Sequence, residues 1–294
     1  MATVGYVMRL MPALIAVAAV ALVACGGTGQ AVVPTPVSPP IGALSAWAAF
    51  PADHIARPVV LVANLSPEGG FGTSDAKIAA LCHKFTPAIM LSTAIPRAAK
   101  VSWSTGTNGS YPSISAGAAL TAMAQPGPGT SESYCKTANP IEFTSVRFGA
   151  YGFITDRGRA QIDSWLFTTS AFTGAMAYPA LAPSAIWNAD LARDSANRGS
   201  TVSADGLTLT FGFAGAVDTG PCGADYRGVV AESRTAVGVA LQETPHSTDQ
   251  NIACPAVAQQ RTINVSLASP LGGRVVLDAS GNLAPVCPVS KPDC

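Results

Sequence analysis

An apolar run, Leu10 to Ala24, preceded by one basic residue, Arg9, and closed by small residues, governs what the rest of the chain can become. Its layout is that of a secretory signal, and it is short for a comfortable membrane span. Export sets the redox environment in which the body folds. Beyond Cys25 the chain carries Cys82, Cys135, Cys222, Cys254, Cys287 and Cys294. An even number in an exported chain reads as disulfides, and sequence alone leaves the connectivity open. Proximity along the chain favours Cys82–Cys135, Cys222–Cys254 and Cys287–Cys294. Closing a loop the size of Cys222 to Cys254 would contribute about 3–4 kcal/mol. Metal ligation is the competing reading, but no Cys-x-x-Cys occurs, and the neighbours Cys82 and His83 are adjacent rather than spaced as ligands.

The last residues of the run, Leu22-Val23-Ala24-Cys25, resemble the lipobox of bacterial lipoproteins. In such proteins the signal is cut before the cysteine, whose sulfur receives a diacylglycerol. The resemblance implies lipidation of Cys25, removal of residues 1–24, and a place on the outer face of the cell membrane. Each buried methylene contributes about 0.8 kcal/mol, so two or three acyl chains hold far better than one. An ordinary cleaved signal and an N-terminal anchor helix are the alternatives. A start at Met8 would give a more compact basic region ahead of the run.

Removing residues 1–24 takes Arg9 from 17 Lys and Arg set against 17 Asp and Glu, leaving a net charge of −1. With no basic excess there is no electrostatic footprint for nucleic acid and no polybasic patch for anionic lipid. The remaining 270 residues are enough for a sizeable core. No second apolar run is long enough to span a bilayer, so the membrane attachment is expected through Cys25 alone.

Residues 25–40 are Gly-rich and then Pro-rich, without apolar periodicity, and read as an extended tether. Thr28, Thr35 and Ser38 are candidate acceptors of O-linked sugars. A β-rich N-terminal part of the body is expected over 41–195, and an antiparallel β C-terminal part over 196–294. The run Arg57 to Ala63 predicts a buried strand, Ser66 to Gly70 a turn, and Ala88 to Leu91 and Val101 to Trp103 short strands. Ser74 to Cys82 admits a helix capped by Ser74, but Phe85 and Pro87 follow closely, and a strand or turn is favoured. Ser115 to Met123, Ala-rich and opened by serines, predicts a helix. Ile141 to Phe153 alternates, Thr155 to Gly158 reads as a turn, and Ile162 to Phe167 as a strand; Tyr178 to Pro183 and Trp187 to Gly199 read as irregular. Past Ser200 the pattern sharpens. Asp205-Gly206 signals a hairpin, and Leu207, Leu209, Phe211 and Phe213 alternate with small or polar residues. Short strands follow over Tyr226 to Glu232, Val237 to Leu241, Ile263 to Leu267 and Arg274 to Leu277. The fold expected is mainly β: an antiparallel β-sandwich or open barrel with few short helices, stapled by disulfides.

Two stretches carry a wider resemblance. Phe50-Pro-Ala-Asp-His, Arg57-Pro-Val-Val-Leu and Asp75-Ala-Lys-Ile-Ala, with Gly220-Pro-Cys-Gly-Ala-Asp-Tyr226, Cys254-Pro-Ala, Arg261-Thr-Ile-Asn-Val and Pro270-Leu-Gly-Gly-Arg274, resemble segments of exported actinobacterial, mycobacterial-type lipoproteins of no assigned function. The resemblance covers about half of the mature chain in patches and implies a lipid-anchored envelope protein. It transfers no catalytic residue.

Motifs of catalysis are sparse. Gly-x-Ser-x-Gly is absent. Ser-x-x-Lys occurs as Ser74-Asp-Ala-Lys77 and Ser133-Tyr-Cys-Lys136, without the Lys-Thr-Gly and Ser-Asp-Asn partners of penicillin-interacting enzymes. His54, His83 and His246 lie in turn-like sequence, and no serine is singled out to join them. Glycine-rich stretches lack the Lys-Ser/Thr of a phosphate loop. Trp47, Trp103, Trp165 and Trp187 with Tyr111, Tyr151 and Tyr178 either fill the core, the favoured reading, or line a groove for lipid or glycan. The expectation is an envelope component that binds a lipid, glycan or envelope protein, or serves a structural role. It needs no cofactor, metal or nucleic acid. A cell-wall or ester hydrolase with dispersed residues is the alternative.

Overall fold

A computed structural model describes residues 37–54, 57–62, 67–126, 130–187, 199–249, 251–292 and 294. The signal, Cys25, most of the tether with Thr28 and Thr35, residues 63–66, and the stretch 188–198 lie outside the described residues. Among the described residues the body is mainly β, with four short helices and no closed barrel.

The C-terminal half is a two-sheet sandwich. Strands β8 (Ser200–Val202) and β9 (Thr208–Gly215) form the hairpin expected at Asp205-Gly206. The Asp205 carboxylate accepts from Ser203 Oγ at 2.5 Å and from the Leu207 N–H at 3.0 Å, and Gly206 takes φ +77°. Strand β12 (Gln259–Ser266) pairs antiparallel with β9, and β14 (Val286–Pro288) pairs parallel with β8. The second sheet runs β10 (Ala224–Glu232), β11 (Ala236–Pro245), β13 (Val275–Asp278), the last pairing parallel. Leu209, Phe211 and Phe213 point into a core shared with Val237, Val239 and Val276 of the facing sheet; Leu207, at the turn, stays exposed. Burial of side chains of this size contributes about 1.5–3 kcal/mol each.

Strand β11 does not alternate, because both its faces are covered. Val237 and Val239 face the sandwich core, whereas Ala236 faces a second core built with Trp47, Phe50, Val60 and Leu283. Helix α1 (Ile41–Ser45) lies on that outer face, and Pro40, at the end of the tether, sits over Gly238, where a Cβ would meet its ring at 2.8 Å. Residues 41–50 therefore pack with the C-terminal half.

The N-terminal half centres on one sheet. Strand β6 (Gly158–Thr168) pairs along one edge with β5 (Ser145–Thr155) and along the other with β2 (Ala99–Trp103) and then β7 (Met176–Pro179). Strand β3 (Asn108–Tyr111) extends it beyond β2. Helix α3 (Ala116–Met123), capped by Ser115 Oγ on the Ala118 N–H at 3.3 Å, buries Ala119, Leu120 and Met123 in the core of this half. A two-stranded parallel sheet, β1 (Phe85–Pro87) with β4 (Ile141–Phe143), adds Phe85 and Phe143.

Several sequence expectations are corrected. Ser74–Leu81 is a helix, α2, with Thr73 rather than Ser74 as its cap, accepting from the Ala76 N–H at 3.1 Å. Asp75 in its first turn complements the helix dipole. The helix ends abruptly because His83 takes φ +54°, so that His83 N–H reaches Ala80 O and Lys84 N–H reaches Ala79 O. Arg57 to Val62 makes single bridges, Val59 to Ile186 and Leu61 to Thr155, instead of a ladder. Its side chains diverge, Val59 into the N-terminal core and Val60 and Val62 into the outer core. Ala88 to Leu91 leaves the sheet after Pro87, with Met90 98% exposed. The alternating run at Ile141 breaks at Thr144 into two strands of different sheets. Tyr178 to Pro183 is not irregular throughout, since β7 and a 3-10 turn (Pro183–Ala185) occupy it. Three strand pairings are parallel, so the sheets are not purely antiparallel.

Disulfides join Cys82–Cys135, Cys222–Cys254 and Cys287–Cys294. The first ties α2 to helix α4 (Ser133–Thr137). The third folds the C-terminal segment against the N-terminal half: at Gly158, φ +82°, a Cβ would meet Cys294 Sγ at 2.1 Å. Cys294 O accepts from the Arg159 N–H at 2.5 Å and Ser104 Oγ at 3.0 Å.

Candidate functional site

A charged constellation lies where the two halves meet. Segment 57–62 is fixed there by the Val59 N–H on Ala185 O at 2.8 Å and the Trp187 N–H on Val59 O at 2.9 Å. Opposite it, the turn between β5 and β6 is braced by Thr155 Oγ1, which donates to Gly158 O at 2.7 Å and accepts from the Arg157 N–H at 3.2 Å. The Asp156 N–H bonds Val60 O, and the Asp156 carbonyl accepts from the Val286 N–H. The turn thus touches both halves through its main chain.

Those anchors bury an ion pair. Arg57 and Asp156 are 4% and 5% exposed, and Arg57 Nη2 pairs with Asp156 Oδ2. The Arg57 guanidinium lies 5.0 Å from the centre of the Phe50 ring. Tyr111 donates its hydroxyl to the Arg57 carbonyl at 3.2 Å. Arg157 stacks on Trp103 at 3.9 Å. Burial pushes the Arg157 guanidinium below its ordinary value, and Arg57 pushes the same way, while Asp156 and Tyr111 oppose them. Among the described residues, Arg57 Nη1, Asp156 Oδ1, Arg157 Nε and Nη2, and Trp103 Nε1 are buried with no hydrogen-bond partner.

A second buried arginine is fully engaged. Arg274 donates to Glu232 at 2.7 Å, to Ser269 O at 2.6 Å, to Pro270 O at 3.0 Å and to Leu271 O at 3.3 Å. The other Glu232 oxygen accepts from the Ala268 N–H at 2.7 Å. This pair borders an open depression of about 210 Å³, at whose rim Arg234 meets Asp53 at 2.8 Å.

A larger open depression, about 580 Å³, sits at the start of α2 and is lined by Phe71, Gly72, Thr73, Ser74 and Lys77. It brings together the first Ser-x-x-Lys pair. Both side chains are exposed, and no hydrogen bond joins them among the described contacts. Ser133 and Lys136 are exposed on α4.

The histidines do not converge. His54 is exposed. His83 Nδ1 lies 2.9 Å from Met123 O, linking the end of α2 to the end of α3. His246 lies 3.3 Å from Asp225 and 3.1 Å from Gly220 O, and the Asp225 side chain first, then Gly220 O, raise its pKa above the ordinary value. Trp47, Trp103, Trp165 and Tyr111 are buried, and Trp165 Nε1 donates to Ile114 O at 2.9 Å. Trp187 packs on Trp47 and Phe50, and Tyr151 and Tyr178 are half-buried. These aromatics fill cores and do not line one groove. No cluster of three or more His, Cys, Asp or Glu suited to a metal occurs among the described residues.

Sequence reading missed the Arg57–Asp156–Arg157 constellation. Its one local signal was charge in apolar company: Arg57 opens a run of valines, and Asp156-Arg157 interrupts two long strands. No protein-family model, curated protein or solved structure matches the chain.

Proposed function

We propose that this is a lipid-anchored extracytoplasmic lipoprotein of the cell envelope, serving as a binding or structural component. The observation that carries the reading is an accounting of thiols. Of seven cysteines, six are consumed in three disulfides, and the seventh is Cys25 at the end of the lipobox. Disulfides fit an oxidising compartment. The resemblance to exported actinobacterial lipoproteins supports the same reading. Among the described residues no helix is long and apolar enough to cross a membrane.

The test is Cys25→Ala expressed in an actinobacterial host. The parent chain partitions with membranes and carries the added mass of a diacylglycerol on Cys25, whereas the variant is released or keeps its signal. Unchanged processing and fractionation would overturn the anchor. Native mass spectrometry then separates a carrier, which retains lipid or glycan, from a scaffold, which runs at its chain mass. The hydrolase alternative draws on Ser74 and Lys77 sharing the larger depression. Failure of a serine-directed acylating probe to label Ser74 removes that support.

A further inference from the structure

We propose that the loop between β1 and β2, residues 88–96, is a second point of contact with the membrane, where its apolar side chains dip into the headgroup–acyl boundary of an anionic bilayer. It rests on the lipid-anchor reading only for bringing the body to that surface. Pro87 to Pro96 holds no charged residue. Within it Ile89, Met90 and Ile95 are 37%, 98% and 67% exposed, and elsewhere among the described residues no stretch of that length holds three exposed large apolar side chains. Single residues of this kind need no explanation, whereas a concentration of them marks a contact surface. The loop is held in this presentation. The Ala88 N–H bonds Phe143 O at 2.9 Å, the Gly117 N–H of α3 reaches Ser92 O at 3.4 Å, and Ser113 Oγ donates to Pro96 O. Ser92 Oγ accepts from the Ala94 N–H at 3.1 Å, and Leu91 packs against the core of the N-terminal half. Leu91 thus turns inward while its apolar neighbours stay outside.

Charge selects the occupant. Residues 76–131 contain no Asp or Glu but carry Lys77, Lys84, Arg97 and Lys100, in a chain whose charges otherwise balance. The elements that border the loop, β1, β2 and α3, all belong to this stretch. The adjoining strands β4 and β6 bring Glu142, opposite Thr86, and Asp163, which accepts from the Lys100 N–H. A basic excess remains around the loop. Lysine and arginine lay their stems along apolar surface and keep their charge at the level of lipid phosphates, and each one near an anionic surface strengthens the attraction. The loop offers Ile and Met and no aromatic ring, whereas protein hot spots are rich in Trp, Tyr and Arg set in shaped pockets. Hydrocarbon asks for no such shape. The main chain here is not paired in a ladder, so the loop enters only as far as water still reaches. Residues 25–40, a Gly- and Pro-rich stretch, would extend about 50 Å at about 3.1 Å per residue, which lets the body turn this loop toward the bilayer.

The experiment reconstitutes the full chain into vesicles of phosphatidylglycerol and phosphatidylcholine, with an environment-sensitive fluorophore on Met90→Cys. Intact mass reads the diacylglycerol first. A chain that lacks it fails the anchor reading alone, and the loop is then tested by sedimenting that chain with the same vesicles. In the anchored chain the label on Met90→Cys is expected to shift to the blue and to be quenched by spin-labelled acyl chains. The same label on Ala204→Cys, in the exposed turn between β8 and β9, should keep its aqueous spectrum. Arg97→Gln should lower the ratio of inserted to free loop about fivefold, the contribution of one basic side chain at such a surface. An aqueous spectrum for Met90→Cys in anionic vesicles would overturn the proposal. So would a blue shift that spin-labelled lipid does not quench, which would assign the loop to a protein contact, or equal insertion at Ala204→Cys, which would be general adsorption of the body.

Discussion

Arg57 and Arg274 each face one carboxylate from a largely buried position, and they solve the same problem in opposite ways. Arg274 spreads its donors over Glu232 and the carbonyls of Ser269, Pro270 and Leu271, and Glu232 uses its second oxygen on the Ala268 N–H. It thereby organises a loop at the rim of the sandwich. Arg57 and Asp156 share one bond and leave a nitrogen and an oxygen unpaired. The first pair is woven into the main chain; the second holds mainly to itself. Desolvation of two charges can exceed their mutual attraction unless the remaining lone pairs and protons are satisfied. The difference therefore predicts that the deeper pair is the more damaging to break and the easier to replace.

Breaking it gives the largest effect. Arg57→Met leaves the Asp156 carboxylate, 3% exposed, without its paired guanidinium. The expected loss of stability is about 3–5 kcal/mol, read from urea unfolding. Arg274→Met should cost less, about 2 kcal/mol, because the Glu232 side chain is 20% exposed and the abandoned carbonyls of Ser269 and Pro270 lie on exposed residues that water can reach. Equal losses would erase the distinction drawn between the two pairs.

Replacing both partners sharpens the comparison further. Arg57→Met with Asp156→Leu removes every polar atom of the deeper pair, and stability should return to within about 1 kcal/mol of the parent. Arg274→Met with Glu232→Leu should not recover in the same way, because the Ala268 N–H and the loop carbonyls lose partners that no apolar side chain supplies. A double-mutant cycle on each pair measures this directly. A double variant at Arg57 and Asp156 as unstable as Arg57→Met alone would mean that the ion pair specifies the junction through more than its charges.

What was legible in the sequence follows the reach of its signals. The β9 alternation, the Asp205-Gly206 turn and the helix over Ala116–Met123 are local patterns, and the fold keeps all three. Proximity along the chain also found the disulfides, since each pair closes a segment without enclosing another. The run Arg57 to Val62 misled because apolar content reports burial, not the number of cores a segment serves. Helix α2 was obscured by the nearness of Phe85 and Pro87, when Thr73 and the left-handed His83 fit a complete helix into the available length. Parallel pairings such as β11 with β13 join distant stretches and leave no periodic trace. The ion pair of the junction spans 99 residues, and Asp156 in isolation reads as an ordinary turn residue.

The smallest effect expected is a pH dependence confined to the shallower pair. Burial acts to raise the pKa of Glu232, but the Ala268 N–H and the Arg274 guanidinium outweigh it and hold the carboxyl below the usual range. A depressed native pKa means that the unfolded chain binds its proton more readily, so the stabilisation is present above the unfolded value, about 4.3 for Glu, and fades as pH falls through the native value. Glu232→Gln cannot ionise but keeps an oxygen for the Ala268 N–H. The parent should therefore exceed the variant by less than about 1 kcal/mol at neutral pH, given that the carboxylate is partly exposed, and the two should converge in acid. A gap that persists unchanged in acid would assign the role of Glu232 to shape and hydrogen bonding rather than to charge, and would make the two pairs more alike than their geometry suggests.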